Sequence, residues 1–218
     1  MNIKYFVLAV CAMSAAVAFV TPTSAQTVKE NVKSEIREYK NMESKHVLEN
    51  IFSRKSVRHF TGKVVSKDDL TMVVKAGMAA PTGKNMQPWE FLAVNDPERI
   101  SAIAESMGKT NPMSARTGAM IKEAGAVIVV CGRPDVSHNW MLDCAAATEN
   151  ILLAIESMGM GAVWTAAWPY EDRLAATTEA FGLPEDVVPL CVIPVGYPKY
   201  EKAPMDKWKP EKLHFDKW

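Results

Sequence analysis

The sequence predicts one layered domain of the α+β or α/β class, and three observations carry that expectation. Short runs of β-branched and aromatic residues alternate with stretches of helical period along most of the chain. One run, Ala126-Val127-Ile128-Val129-Val130-Cys131, is apolar throughout, as in a strand buried on both faces. The longest helical segment, Met141 to Met158, is so rich in Ala, Leu, Ile and Met that it should be almost wholly buried. A chain of this size has few elements to cover it, so a second copy of the chain is expected to help. The composition agrees with a globular domain: 48% of the 218 residues are hydrophobic and 23% charged.

Residues 1–25 stand apart from the domain. Lys4 is their only charge, an apolar run extends from Tyr5 to Val20, and Thr21-Pro22-Thr23-Ser24-Ala25 adds a helix breaker and small residues. This pattern predicts a signal peptide cut after Ala25, and therefore export to the periplasm or beyond. The run is shorter than the ~20 apolar residues of a membrane span, so no stable span is expected after cleavage; an uncut N-terminal anchor is the alternative. Residues 26–46 are polar and charged and are expected to form a tether. The domain proper is expected over 47–218.

Within it, Leu48, Ile51 and Phe52 have helical spacing and end at Arg54-Lys55-Ser56-Val57-Arg58. Ser66-Lys67-Asp68-Asp69 fits a capping box opening a helix whose apolar stripe is Leu70, Val73, Val74, Gly77 and Met78. Trp89–Val94 reads as a strand, Pro97–Met107 and 113–123 as helices, and Ala162–Ala166 as a strand. Glu171–Phe181 reads as a helix closed by Gly182, and Val188–Val195 as a buried strand. From Tyr197 onward the chain is charged, with Pro204, Pro210 and two tryptophans, and has no clear period.

Several chemistries are excluded early. Lys and Arg (25) balance Asp and Glu (25) with no basic block, which argues against nucleic acid as a partner. Neither CxxC nor HExxH occurs, and the four histidines lack metal-ligand spacing, so no metal site is expected. After cleavage at Ala25 the cysteines left are Cys131, Cys144 and Cys191. Two lie in strand-like runs, so buried free thiols are expected rather than a disulfide. Gly77 and Gly83-Lys84 imitate a phosphate loop, but the spacing is one residue too long and Asn85 stands where Ser or Thr is needed. No GxGxxG fingerprint is present either.

Two segments could carry chemistry. In an extended Arg54–Arg58 segment, Arg54, Ser56 and Arg58 would project to one side and could hold a phosphate or a ribityl chain. Spacing alone leaves a solvated charged turn equally open. The second segment, Ala80-Pro81-Thr82-Gly83-Lys84-Asn85-Met86-Gln87-Pro88-Trp89-Glu90-Phe91, sets the amides of Asn85 and Gln87 just before a strand. Amides both donate and accept, which suits the edge of a heterocycle with mixed N–H and C=O groups.

Together these segments resemble the FMN-dependent nitroreductase family. The likeness continues through Asp143-x-x-Ala146-x-x-Glu149-Asn150-Ile151-Leu152-Leu153-Ala154, Met158-Gly159-Met160-Gly161-x-x-Trp164, Pro194-Val195-Gly196-Tyr197-Pro198 and the tail His214–Trp218. It implies an α+β, three-layer fold with a central mixed sheet flanked by helices. It further implies a two-fold homodimer whose C-terminal extensions are exchanged and whose interface holds two FMN molecules. By the same resemblance Arg54, Ser56 and Arg58 would contact phosphate, ribityl and ring edge, with Lys55 beside them. Pro81, Thr82, Gly83 and Asn85 would line the ring from the other subunit, supported by Gln87. Trp164, Thr165 and Ala166 would bring backbone to flavin N5 and O4, and Lys207 and Lys209 would close on the phosphate.

The implied activity is a ping-pong transfer of two electrons from NAD(P)H to a nitroaromatic, quinone or similar electron-poor small molecule. No protein acid or base is expected to be catalytic; Arg58 would give electrostatic support. The segment Gly108–Met120 is where acceptor selectivity would sit. An exported flavin-binding carrier without nicotinamide turnover, or dehalogenation or flavin cleavage on the same fold, are the alternatives.

Overall fold

The computed structural model describes residues 42–218. The expected signal peptide, and the tether up to residue 41, lie outside the described residues. The first helix, α1 (Met42–Ser53), begins inside the segment read as tether. Helix α2 (Lys67–Met78) follows; the Ser66 hydroxyl accepts from the Asp69 N–H at 3.0 Å, as the capping-box reading requires. Strand β1 (Trp89–Val94) leads into helices α3 (Pro97–Gly108) and α4 (Pro112–Glu123), each with proline in its first turn and a side-chain N-cap, Asp96 and Asn111 respectively. Then come strand β2 (Ala126–Gly132), helix α5 (Trp140–Ser157) and the short strands β3 (Gly161–Ala162) and β4 (Thr165–Ala166). Helix α6 (Glu171–Phe181) stops at Gly182, whose φ of 65° is the left-handed cap a side chain would resist. Strand β5 (Val188–Gly196) closes the sheet.

The strand order is β1-β2-β5-β3, with β4 also on β5, and every ladder is antiparallel. The parallel component of this mixed sheet is a single bridge, Ser56 to Ala162. Strand β2 shows why both faces are buried. Ala126, Ile128 and Val130 join Leu70, Val73, Ile151 and Ile155 under α2 and α5. Val127, Val129 and Cys131 join Ile100, Ile103, Ile121 and Phe181 under α3, α4 and α6. A period of two thus sorts one apolar run into two cores, giving three layers, helix–sheet–helix.

Two expectations are corrected. The strand over Ala162–Ala166 is two pieces in one register, with Val163 and Trp164 between them. That break falls opposite Pro194 and Ile193 of β5, and a proline has no N–H for the ladder. Helix α5 is less enclosed than its composition implies: Trp140, Cys144, Ala147, Ile151 and Ile155 are buried, whereas Leu142 is 69% exposed and Glu149 lies at the surface. One stripe of the helix finds no cover among the described residues.

Cys131, Cys144 and Cys191 are buried and free of disulfides, as expected. The Cys144 thiol donates to the Cys131 carbonyl at 3.3 Å, and Thr148 Oγ1 lies 3.7 Å from Cys191 Sγ. Burial pushes the Cys131 and Cys144 thiols up to about 12, and Cys191 higher still. The unfolded thiols titrate near about 8.5. Between these values the unfolded chain holds fewer protons, so this contribution to stability is complete below about pH 8.5 and is lost as pH rises toward 12. At pH 8 a thiol reagent should therefore label none of the three in native protein and all three in denaturant. Peptide mapping that finds any of them labelled natively at the rate of a free thiol would contradict the burial.

Candidate functional site

The expected anion-binding stretch is pinned to β3 at Ser56 and Val57. Its backbone is held by the Val57 N–H donating to the Ala162 carbonyl at 2.9 Å, and Val57 is buried. Its cations are divided. Arg54 Nε lies 3.1 Å from Glu149 Oε1, and Lys55 Nζ 2.9 Å from Glu156 Oε1, so both are held on the outer side of α5. Glu149 is about half exposed, so the Arg54 pair is solvent-screened and readily exchanged for another anion; Lys55 and Glu156 are both largely buried and act as a structural tie. Ser56 makes the bridge to Ala162. Arg58 alone points out without a partner among the described residues.

Arg58 opens onto a cleft of about 480 Å³. One wall is Val163, Trp164, Thr165 and Ala166; another is α4, through Met113, Arg116, Thr117 and Met120; His59 and Arg173 complete it. Four of the expected site residues, Arg58, Trp164, Thr165 and Ala166, thus share one cleft. Among the described residues strand β4 pairs only with β5, so its outer edge has no strand partner. Thr165 is fixed by its hydroxyl, which donates to the Val192 carbonyl at 2.5 Å. Behind Ala166, Arg173 Nη1 donates to the Ala166 carbonyl at 3.4 Å and its guanidinium lies 3.8 Å over the Tyr170 ring, while its Nε is buried without an acceptor. Among the described residues, three guanidiniums and no carboxylate line this cleft. That donor set suits a flat anion.

The expected loop lies elsewhere. Gly83, Lys84 and Met86 border a separate cavity of about 350 Å³ with Pro134–Asn139. Gly83–Asn85 forms one 3₁₀ turn, and Lys84, Asn85 and Gln87 all have positive φ (52°, 56° and 47°). Such angles are costly for residues with a Cβ and persist where surrounding bonds impose them. Here the Gln87 N–H donates to Thr82 Oγ1 at 3.3 Å, the Gln87 amide donates to Asn85 Oδ1 at 2.8 Å, and the Gly83 N–H donates to Asp143 Oδ1 at 3.1 Å. Pro81, Gly83, Asn85 and Gln87 are exposed, presenting the loop outward. Lys207 and Lys209, in the tail, are exposed and do not line the Arg58 cleft.

Three contributors went unread as site residues. Asp143, buried on the first turn of α5, anchors the loop, and its Oδ2 has no partner. Its sequence signal is its place at the head of the Asp143-x-x-Ala146-x-x-Glu149-Asn150 motif, which assigns it no role. Arg116 falls within Gly108–Met120, the segment expected to hold acceptor selectivity, at helical spacing from Met113 and Met120. Arg173 gave no local signal.

The fold and cleft define an α+β protein with a cleft rich in guanidinium groups beside a sheet edge, and comparison with known proteins makes its class specific. A family model, the nitroreductase family, matches residues 51–197. A protein of Archaeoglobus fulgidus with the provisional name NADH dehydrogenase/NAD(P)H nitroreductase is 38% identical over 178 residues, covering 78% of this chain and 98% of its own. A crystal structure from Bacteroides thetaiotaomicron, under the same provisional name, shares 44% identity with a TM-score of 0.72, covering 79% of this chain and 98% of that one. A nitroreductase from Bacteroides fragilis, solved with bound FMN, shares 25% identity with a TM-score of 0.63 over 78% and 98% of the two chains. The chain belongs to the nitroreductase family, and the fold implied by its motifs is the one it adopts.

Proposed function

We propose that this protein is an exported, homodimeric FMN-dependent oxidoreductase that takes electrons from NAD(P)H and reduces electron-poor small molecules such as nitroaromatics or quinones. The observation that carries the reading is the cleft where Arg58, without a partner among the described residues, meets the outer edge of β4. Bound FMN would supply a two-electron centre able to accept hydride and pass it on. The residues present fit it. Arg58 would hold the electron-rich edge of the ring by a charge-assisted hydrogen bond. The Thr165–Ala166 edge offers backbone groups to the ring's polar rim, and Val163, Trp164, Met113 and Met120 offer apolar walls that exclude water. Arg54, with its exposed counter-ion Glu149, is available to a phosphate.

The homodimer rests on what the single chain leaves uncovered. Trp208, Leu213, Phe215 and Trp218 of the tail are exposed, as is Leu142 on α5. Such a set of large apolar groups calls for a partner surface. A second copy would cover them, and would bring its Thr82–Gln87 loop, with Lys207 and Lys209, to the flavin. Export rests on residues 1–25 alone.

The decisive experiment starts with colour. The purified full chain should be yellow, or turn yellow on soaking in FMN, and should sediment as a dimer at micromolar concentration. Anaerobic mixing with NADH or NADPH should bleach it, and a nitroaromatic should restore the colour. A protein that stays colourless in excess FMN overturns the reading. One that is yellow but bleached only by non-nicotinamide reductants would be a redox carrier.

A further inference from the structure

We propose that Arg116 anchors an oxyanion carried by the flat molecule that enters the cleft, so that the protein selects acidic ligands over neutral ones of the same shape. The inference rests on the reading of this cleft as the ligand site and names the class of ligand.

Helix α4 has two faces. Ser114, Gly118 and Ile121 are buried toward the body of the domain, while Met113, Arg116 and Met120, at intervals of three and four, face the cleft. The three guanidiniums there have different occupations. Arg173 is stacked on Tyr170 and bonded to the Ala166 carbonyl, so its work is to back β4. Arg58 leaves the 54–58 segment beside β3 and is accounted for by the flavin. Arg116 is exposed on the α4 wall, and among the described residues it makes no ion pair or hydrogen bond.

Among the described residues, none lining the cleft neutralises it. No Asp or Glu lines the cleft, and Glu123, at the end of the same helix, is engaged by His59 Nδ1 at 3.2 Å. The chain as a whole is charge-balanced, so this local excess of positive charge is a property of the cleft. Cations gathered on low-dielectric walls concentrate an attractive field for anions. A guanidinium offers a planar fork that matches a carboxylate or phosphate with two parallel bonds. Met113 and Met120 flank that fork with flexible apolar surface suited to rings of varied outline. The oxyanion could belong to the acceptor, as a ring carboxylate, or to the donor, as the extra phosphate that distinguishes NADPH from NADH.

The test uses the FMN-loaded full chain and calorimetry with ligands that cannot be reduced, so that binding is read apart from turnover. Benzoate is compared with benzyl alcohol, and NADP⁺ with NAD⁺. Wild-type protein should prefer the member that carries the additional oxyanion, in one pair at least, by about ten- to hundredfold, the range of a hydrogen bond to a charged group. Arg116→Gln should collapse that ratio, and Arg116→Lys should keep the charge-dependent part of it. Collapse of the benzoate ratio assigns the oxyanion to the acceptor; collapse of the NADP⁺ ratio alone assigns it to the donor. Should Arg116→Gln leave both ratios as in wild type, the proposal is overturned. Arg116-dependent benzoate binding in a protein that never turns over would sustain this inference while defeating the enzymatic reading.

Discussion

Gly125→Ala should cost this protein about 3 kcal/mol or more and lower its melting temperature by about 10 °C, from the usual cost of overpacking and the usual slope for a chain of this size. The cause is a crossing of backbones. A Cβ on Gly125 would stand 1.9 Å from the Lys63 carbonyl oxygen and 3.2 Å from the Val65 nitrogen. Those are main-chain atoms, so no rotamer change relieves the clash. The same glycine stitches the chain together: the Val65 N–H donates to its carbonyl at 3.1 Å, and its own N–H donates to the Val195 carbonyl at 2.9 Å. Residues 54–65, which carry Arg58, are thereby tied to the start of β2 and the end of β5. The substitution should therefore loosen the site as well as the fold. Gly62→Ala is the control. Its φ of 76° is strained for alanine, at about 1–2 kcal/mol, yet nothing lies within 4 Å of the added atom. Thermal melts of the two variants decide the matter; a Gly125→Ala melt within 2 °C of wild type, about one kcal/mol, would mean that the crossing gives way.

What could be read from the chain beforehand was what is local. The bounds of β1 and α6, the Ser66 cap and the two-sided burial of β2 follow from neighbours a few residues apart, where period and propensity act. The motifs likewise brought Arg58 and Trp164–Ala166 into one candidate set. What stayed hidden depends on partners far along the chain. That Lys55 lies 2.9 Å from the carboxylate of Glu156, a hundred residues on, is invisible in the 54–58 stretch itself. The Thr82–Gln87 loop owes its anchoring to Asp143, sixty residues away. The break in the 162–166 strand is imposed from Pro194, whose effect appears only once β5 lies alongside. Arg116 and Arg173 converge on a cleft that exists only when α4, α6 and β4 have packed. Each such feature is a long-range pairing, for which a single sequence carries no spacing rule.

Those pairings also separate the cations of the 54–58 stretch into two kinds, which makes the final prediction sharp. Arg58→Ala should weaken FMN binding by about ten- to hundredfold, because a hydrogen bond to a charged group contributes about 1.5–3 kcal/mol and each 1.4 kcal/mol is a factor of ten. Its fold should be little affected, since the side chain is exposed and unpartnered among the described residues. Lys55→Ala should do the reverse. It leaves the Glu156 carboxylate, only 12% exposed, without its 2.9 Å counter-ion, so stability falls while FMN affinity holds. Arg58→Lys should fall between wild type and Arg58→Ala, retaining charge but not the fork. The measurements are flavin-fluorescence titrations paired with thermal melts on each variant. If Arg58→Ala binds FMN as wild type does, the Arg58 guanidinium has some other purpose. If instead Lys55→Ala is the variant that sheds flavin, the assignment of the two cations must be exchanged, and with it the wall of the cleft on which the cofactor is expected to lie.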